Sequence, residues 1–160
     1  MAGMTDQTLV NTLLNNLLHT STTGTWTAGT GGTNLTILPP LHLHLFPVGT
    51  LGTEAATGTE LTSTNSPGYT QGYPAGGLSM GTTAFTALSA GTTANTNAVT
   101  WTATNTWTAG VAGIEVWDDS STAVRILWGP LSTAIGASVV VSGDTVSFIA
   151  GAITVNASIW

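Results

Sequence analysis

The chain has 160 residues, of which 42% are hydrophobic, enough for a single domain with a real core. Only 5% are charged; lysine is absent, Arg125 is the sole strong cation and the formal net charge is −6, which argues against nucleic acid and against anionic membrane surfaces as partners. No cysteine is present, so disulfides and thiolate metal sites are excluded, while threonine, about a fifth of the chain and far above ordinary usage, favours extended backbone and supplies hydroxyls to water where charge does not.

Residues 1–7 lack the basic region of a secretory signal, and the apolar cluster at 9–18 is interrupted by Asn11, Thr12, Asn15 and Asn16, so no membrane span is expected. Within that cluster Leu9, Val10, Leu13, Leu14, Leu17 and Leu18 recur at helical spacing and form one apolar stripe. The spacing predicts a short helix, with Thr5 as N-cap and Asp6 near the positive end of the dipole. So short a helix needs a partner surface. It either covers one end of a β-domain or packs against other copies of the chain, which makes Leu9, Leu13 and Leu17 candidate interface residues.

Residues 21–34 are Thr, Gly and Ser around Trp26, a linker or an exposed hairpin. The chain is therefore divided into an N-terminal helix and arm, 1–34, and a β-domain, 35–160. At 41–45 Leu41, Leu43 and Leu45 alternate with His42 and His44, the period of a strand, after an extended entry set by Pro39 and Pro40. Residues 49–91 carry Gly, Thr, Ser and Pro with Tyr69, Tyr73, Met80 and Phe85, and read as long loops with strand pieces near 78–88.

The second half is more regular. Strands are predicted at 99–104, 111–117, 123–128, 137–141, 145–148 and 152–159, separated by Asn105, Asp118-Asp119-Ser120, Gly129-Pro130, Gly143-Asp144 and Gly151. Short strands at this spacing predict a mainly β protein, an antiparallel β-sandwich or jelly-roll-like barrel with one short N-terminal helix. The expected core is Ile114, Val116, Ile126, Trp128, Val146, Phe148, Ile153 and Val155. Thr-Trp-Thr-Ala occurs at 25–28, 100–103 and 106–109, but its irregular spacing marks bias in composition rather than a structural repeat.

Residues that could carry chemistry are few. His42 and His44 on one strand face could chelate a metal, yet no carboxylate stands obviously near, and an exposed or interfacial face is the simpler reading. Asp118 and Asp119 could join Glu115 around calcium, but adjacent Asp residues before Ser120-Ser121 fit a turn that bonds its own backbone. There is no nucleophile-elbow phrase and no convergent acid pair, so neither catalysis nor a cofactor nor a metal is expected. Six tryptophans raise the question of sugar stacking; Trp117 and Trp128 fall in core-like strands, while Trp26, in the glycine-rich linker, and Trp160, at the last position, are the exposed candidates. With Tyr69 and Tyr73 they complete the list of candidate interface residues.

Several phrases recur in order: 41–46 (Leu-His-Leu-His-Leu-Phe), Gly58-Thr59-Glu60, Gly68-Tyr69, Trp107, Val116-Trp117-Asp118, Leu127-Trp128-Gly129-Pro130-Leu131, Gly143-Asp144-Thr145-Val146-Ser147-Phe148 and Gly151-Ala152-Ile153-Thr154-Val155. In these the chain resembles a family of small proteins encoded among tailed-phage virion structural genes and often labelled tail fibre. The resemblance covers the last 60 or so residues well. One position departs from it: the arginine usual two residues after the tyrosine is Gln71 here, so any carboxylate clamp made by that arginine is missing. The resemblance implies a non-enzymatic virion protein, made in the host cytoplasm. The expected role is a capsid decoration (cement) subunit, a homotrimer bound to the major capsid protein and in contact with other virion proteins. The alternative is a tail-fibre or tail-tip receptor-binding subunit.

Overall fold

The computed structural model describes residues 14–19, 24–26, 35–53, 56, 58–70, 77–81, 83–119 and 124–156. The architecture is mainly β, antiparallel and sandwich-like, and it is not a closed barrel. Ten strands are described: β1 (Gly24–Trp26), β2 (Leu35–Ile37), β3 (His42–Phe46), β4 (Leu78–Ser79), β5 (Thr92–Ala94), β6 (Val99–Thr102), β7 (Val111–Trp117), β8 (Arg125–Ile135), β9 (Thr145–Phe148) and β10 (Thr154–Asn156). The main sheet has the order β4-β3-β7-β8, and β1-β2, β6-β9 and β5-β10 form two-stranded ribbons.

Register decides which residues share a face. Leu43 stands opposite Val116 and Leu45 opposite Ile114 across β3 and β7, while Leu127 and Gly129 of β8 extend the same two rows. This face turns to the core, where Leu43, Leu45 and Val116 meet Trp101, Val146 and Ile153 from the ribbon side. Trp101 stacks tilted on Tyr69, with centroids 5.6 Å apart, and stands edge-on to Phe148 at 6.3 Å. Fully burying a leucine or phenylalanine side chain stabilises by about 1.5–3 kcal/mol, so this cluster is the main source of stability.

The opposite face of the same sheet carries His42, His44, Glu115, Trp117 and Arg125. It is covered as well. A Cβ on Gly58 would meet the Phe46 ring at 2.7 Å, and a Cβ on Gly113 would strike the Leu51 side chain, so the chain at Leu51 and at Gly58 lies directly on this face. A strand face expected to be exposed or interfacial is therefore internal.

Described helix runs from 14 to 18. Leu18 is fully buried, Leu14 and Leu17 pack against the same cluster, and the Asn15 carboxamide oxygen accepts the Leu88 amide proton at 2.8 Å. Of the two partners expected for this helix, the described turns take the β-domain. Gly24–Trp26 of β1 also pairs with Leu35–Ile37 of β2, across the expected boundary.

The predicted spans 111–117 and 145–148 coincide with β7 and β9. Two expectations fail around Gly129-Pro130. Instead of a turn, one strand runs through from Arg125 to Ile135, and 137–141 is not a strand. Proline is tolerated in an edge strand or at a bulge, and the register does shift here, leaving Leu131, Ser132, Thr133 and Ala134 outside the paired positions. The chain then turns at Ser138, whose φ of 60° is left-handed, and the Ser138 amide donates to Trp107 O. Of the expected core, Val116, Val146 and Ile153 are buried and Ile114, Ile126, Phe148 and Val155 pack around them, but Trp128 is 45% exposed.

Candidate functional site

Two features stand out as places where function could reside: the polar lattice under Leu51 and Gly58, and an open cleft at the β8 side of the sandwich. In the lattice, Glu115 lies wholly buried between β3 and β8. Its Oε1 accepts from Arg125 Nη1 at 3.1 Å and from the Gly58 amide at 3.2 Å, and its Oε2 accepts from the Trp117 indole at 2.9 Å. Arg125 also donates to Ala56 O at 3.0 Å and to Thr53 O. One guanidinium thus joins the end of the main sheet to the loop above it, with its planar fork meeting a carboxylate and two carbonyls.

A second group sits beside it. Glu60 Oε1 accepts the Tyr69 hydroxyl proton at 2.6 Å and lies 2.8 Å from His44 Nδ1, while the Leu45 amide donates to the Tyr69 oxygen at 2.9 Å. Burial pushes the Tyr69 hydroxyl well above its ordinary pKa; the neighbouring Glu60 charge and its hydrogen bond add to the rise, and the Leu45 amide opposes it. At the end of β7, Asp118 accepts the Leu38 amide proton at 3.0 Å and the Val124 amide proton at 2.6 Å. Asp119 Oδ1 lies 3.1 Å from His42 Nε2.

These contacts test the chemical readings one by one. Glu115, Asp118 and Asp119 do not converge on a shared point, since each is engaged with different partners. Asp118 behaves as the turn reading expects, closing the 118–124 connection and tying it to Leu38. His44 faces Glu60 and His42 faces Asp119, so the two histidines do not act as a pair. Among the described residues no group of three or more potential metal ligands assembles. Likewise no described helix is long and apolar enough to cross a membrane.

Three of the seven interface candidates, Leu17, Trp26 and Tyr69, fall among the described residues. Tyr69, read from sequence as a surface residue, is only 3% exposed and belongs to the core. Its ring packs against Trp101 and Trp107, and its hydroxyl is satisfied internally, so it has nothing to offer a partner. Leu17 is half-buried against the core. Trp26 lies in β1. Leu9, Leu13, Tyr73 and Trp160 lie outside the described residues.

The cleft was not foreseen. Where the main sheet ends at β8, the gap between it and ribbon strands β9 and β10 stays open, a cleft of about 690 Å³. Ile114, Val116 and Leu127 line one wall, and Phe148, Ile153 and Val155 the other. Ser132, Thr133, Ser147, Thr154 and Asn156 add polar groups, and among the described residues that line the cleft none is charged. Trp128 stands opposite Glu115, so its ring lies on the other face of β8, 5.9 Å from the Arg125 guanidinium, which helps to hold it in place. β8 has a sheet neighbour on one side only among the described residues. A sequence signal for this region did exist: no charged residue occurs from Ile126 to Gly143.

The arrangement defines a mainly β, sandwich-like domain with an internal polar lattice and one open, neutral side. Comparison with protein-family models, characterised proteins and solved structures returned no match.

Proposed function

We propose that this protein is a non-enzymatic structural subunit of a tailed-phage virion, a decoration protein that binds the outside of the head shell and works by packing. The observation that carries this reading is the open, uncharged cleft beside the edge of β8. A sheet edge and an apolar groove are what strand-to-strand association uses: backbone groups supply hydrogen bonds and the groove takes alternate side chains. The charged groups described in the lattice serve the fold, linking β8, β7 and the overlying loop, and this supports a mechanical role. The ordered phrases shared with virion structural proteins, among them Gly143 to Phe148 and Gly151 to Val155, give the reading its setting. In that role many copies, each contacting the major capsid protein, bury apolar surface and tie neighbouring shell subunits against internal pressure.

A receptor-binding tail subunit is the second reading, favoured by the half-exposed Trp128, on whose ring a neutral glycan can stack, and by a cleft rich in hydroxyl groups. Gel densitometry of purified virions against the major capsid protein separates the two. Hundreds of copies per particle are expected. A few to a few dozen would transfer the protein to the tail, and its complete absence from particles would overturn both readings.

A further inference from the structure

We infer that the open cleft is a self-association surface, closed by a second copy of this chain whose own β8 side lies against it. The inference deepens the assembly reading above and rests on it. Three observations converge. First, the core is unfinished at this side: Ile114, Leu127, Phe148 and Val155 are only partly buried, although their neighbours Leu43, Leu45 and Val116 are fully enclosed. Second, β8 is an eleven-residue edge strand, twice an ordinary strand, with one sheet neighbour among the described residues. An edge of this length is a template for a further strand; Pro130 and the register shift interrupt it locally, but no charge guards it from 126 to 135.

Third, charge selects the occupant. Each copy carries a net charge of −6, yet none of the described residues lining the cleft is charged. Two copies meeting here therefore bring no like charges together. An ordinary protein surface, with roughly a quarter of its residues charged, would instead desolvate charges against a wall that cannot pair them. This chain, with 5% charged residues and a neutral β8, offers the segment that the cleft accepts at least cost. Leu131 is the anchor, half-buried where β8 leaves its register with β7.

Sedimentation equilibrium of the purified full chain over a wide concentration range tests the inference. The wild type is expected to associate reversibly. Thr133→Glu, at an exposed cleft position, is expected to weaken association at least about tenfold by setting like charges face to face. Thr106→Glu, exposed and outside the cleft, is expected to leave it unchanged. Amide hydrogen exchange should show protection of 127–135 rising with protein concentration. A single-chain mass at every concentration overturns the inference, as does association that Thr133→Glu leaves intact. Protection of 127–135 only on addition of the major capsid protein would assign the cleft to that partner and also overturn it. Virion copy number is a separate measurement: a monomer found abundantly on heads would sink this inference alone, and an associating chain absent from virions would sink the decoration reading alone.

Discussion

Arg125 is the residue on which the polar lattice depends. It meets Glu115 where neither is well solvated and also holds the carbonyls of Thr53 and Ala56, so its loss strands a buried carboxylate and frees the loop together. Breaking a buried pair from one side costs about 3–5 kcal/mol. We expect Arg125→Met to lower stability by an amount in that range, read from urea unfolding midpoints at constant slope. Arg125→Lys should recover only a minor part, since an ammonium cannot span the carboxylate and both carbonyls. Tyr69 gives a pH test. Its hydroxyl pKa is raised in the folded state, so from the ordinary tyrosine value near pH 10 the unfolded chain releases this proton while the folded one keeps it. Stability is therefore complete below that pH and falls above it by about 1.4 kcal/mol per pH unit. Tyr69→Phe should lose about 1–3 kcal/mol at neutral pH, because the buried Leu45 amide is left without its acceptor, and should show a shallower alkaline decline. Neither role was legible in the sequence. Alternation along β7 places Glu115 with Trp117, but whether Arg125 joins them depends on a register that shifts between Val116 and Trp117. Tyr69 sits in a stretch rich in Gly and Ser that reads as surface loop, and what buries it comes from far along the chain: Leu45, Trp101 and Trp107.

Elements whose residues alternate cleanly between turn signals were legible to the residue. β7 and β9 alternate between positions of greater and lesser burial, and glycine or aspartate stands at their ends, so period and punctuation agree. β8 was divided wrongly because Gly129-Pro130 is a strong turn signal in a strand paired on both sides but a permitted bulge in one at the edge, and edge position is a property of the whole sheet. The loop that covers the outer face was equally hidden, since it is held by backbone carbonyls and close approach rather than by an apolar pattern. Its glycines provide a measurement. A Cβ on Gly58 would lie 2.7 Å from both the Gly52 nitrogen and the Phe46 ring, with Thr50 O nearer still, whereas a Cβ on Gly129 would meet nothing within 4 Å. Gly58→Ala is expected to destabilise by about 1–3 kcal/mol, as overpacking does, and Gly129→Ala to change stability by no more than about 0.5 kcal/mol. Equal effects on thermal unfolding would show that the loop does not rest on the sheet as described.

At the scale of the whole molecule, the scarcity of charge and the open side of the sandwich belong to one argument about how copies approach each other. Interfaces built from opposite charges weaken as salt screens them. Here the cleft contributes no charge to screen, while the −6 carried by each copy opposes every encounter. Salt can then only remove repulsion, so self-association should tighten as sodium chloride is raised. The change should level off once the screening length falls below about 8–10 Å, near physiological ionic strength. Because association stabilises the folded chain by mass action, the thermal midpoint should climb with protein concentration, and climb further at moderate salt than at low salt. Thr133→Glu adds charge within the cleft and should steepen the salt dependence while weakening association throughout. A wild-type midpoint that is independent of concentration, or an association that loosens as salt is added, would mean that copies of this chain do not meet through the neutral side of the sandwich.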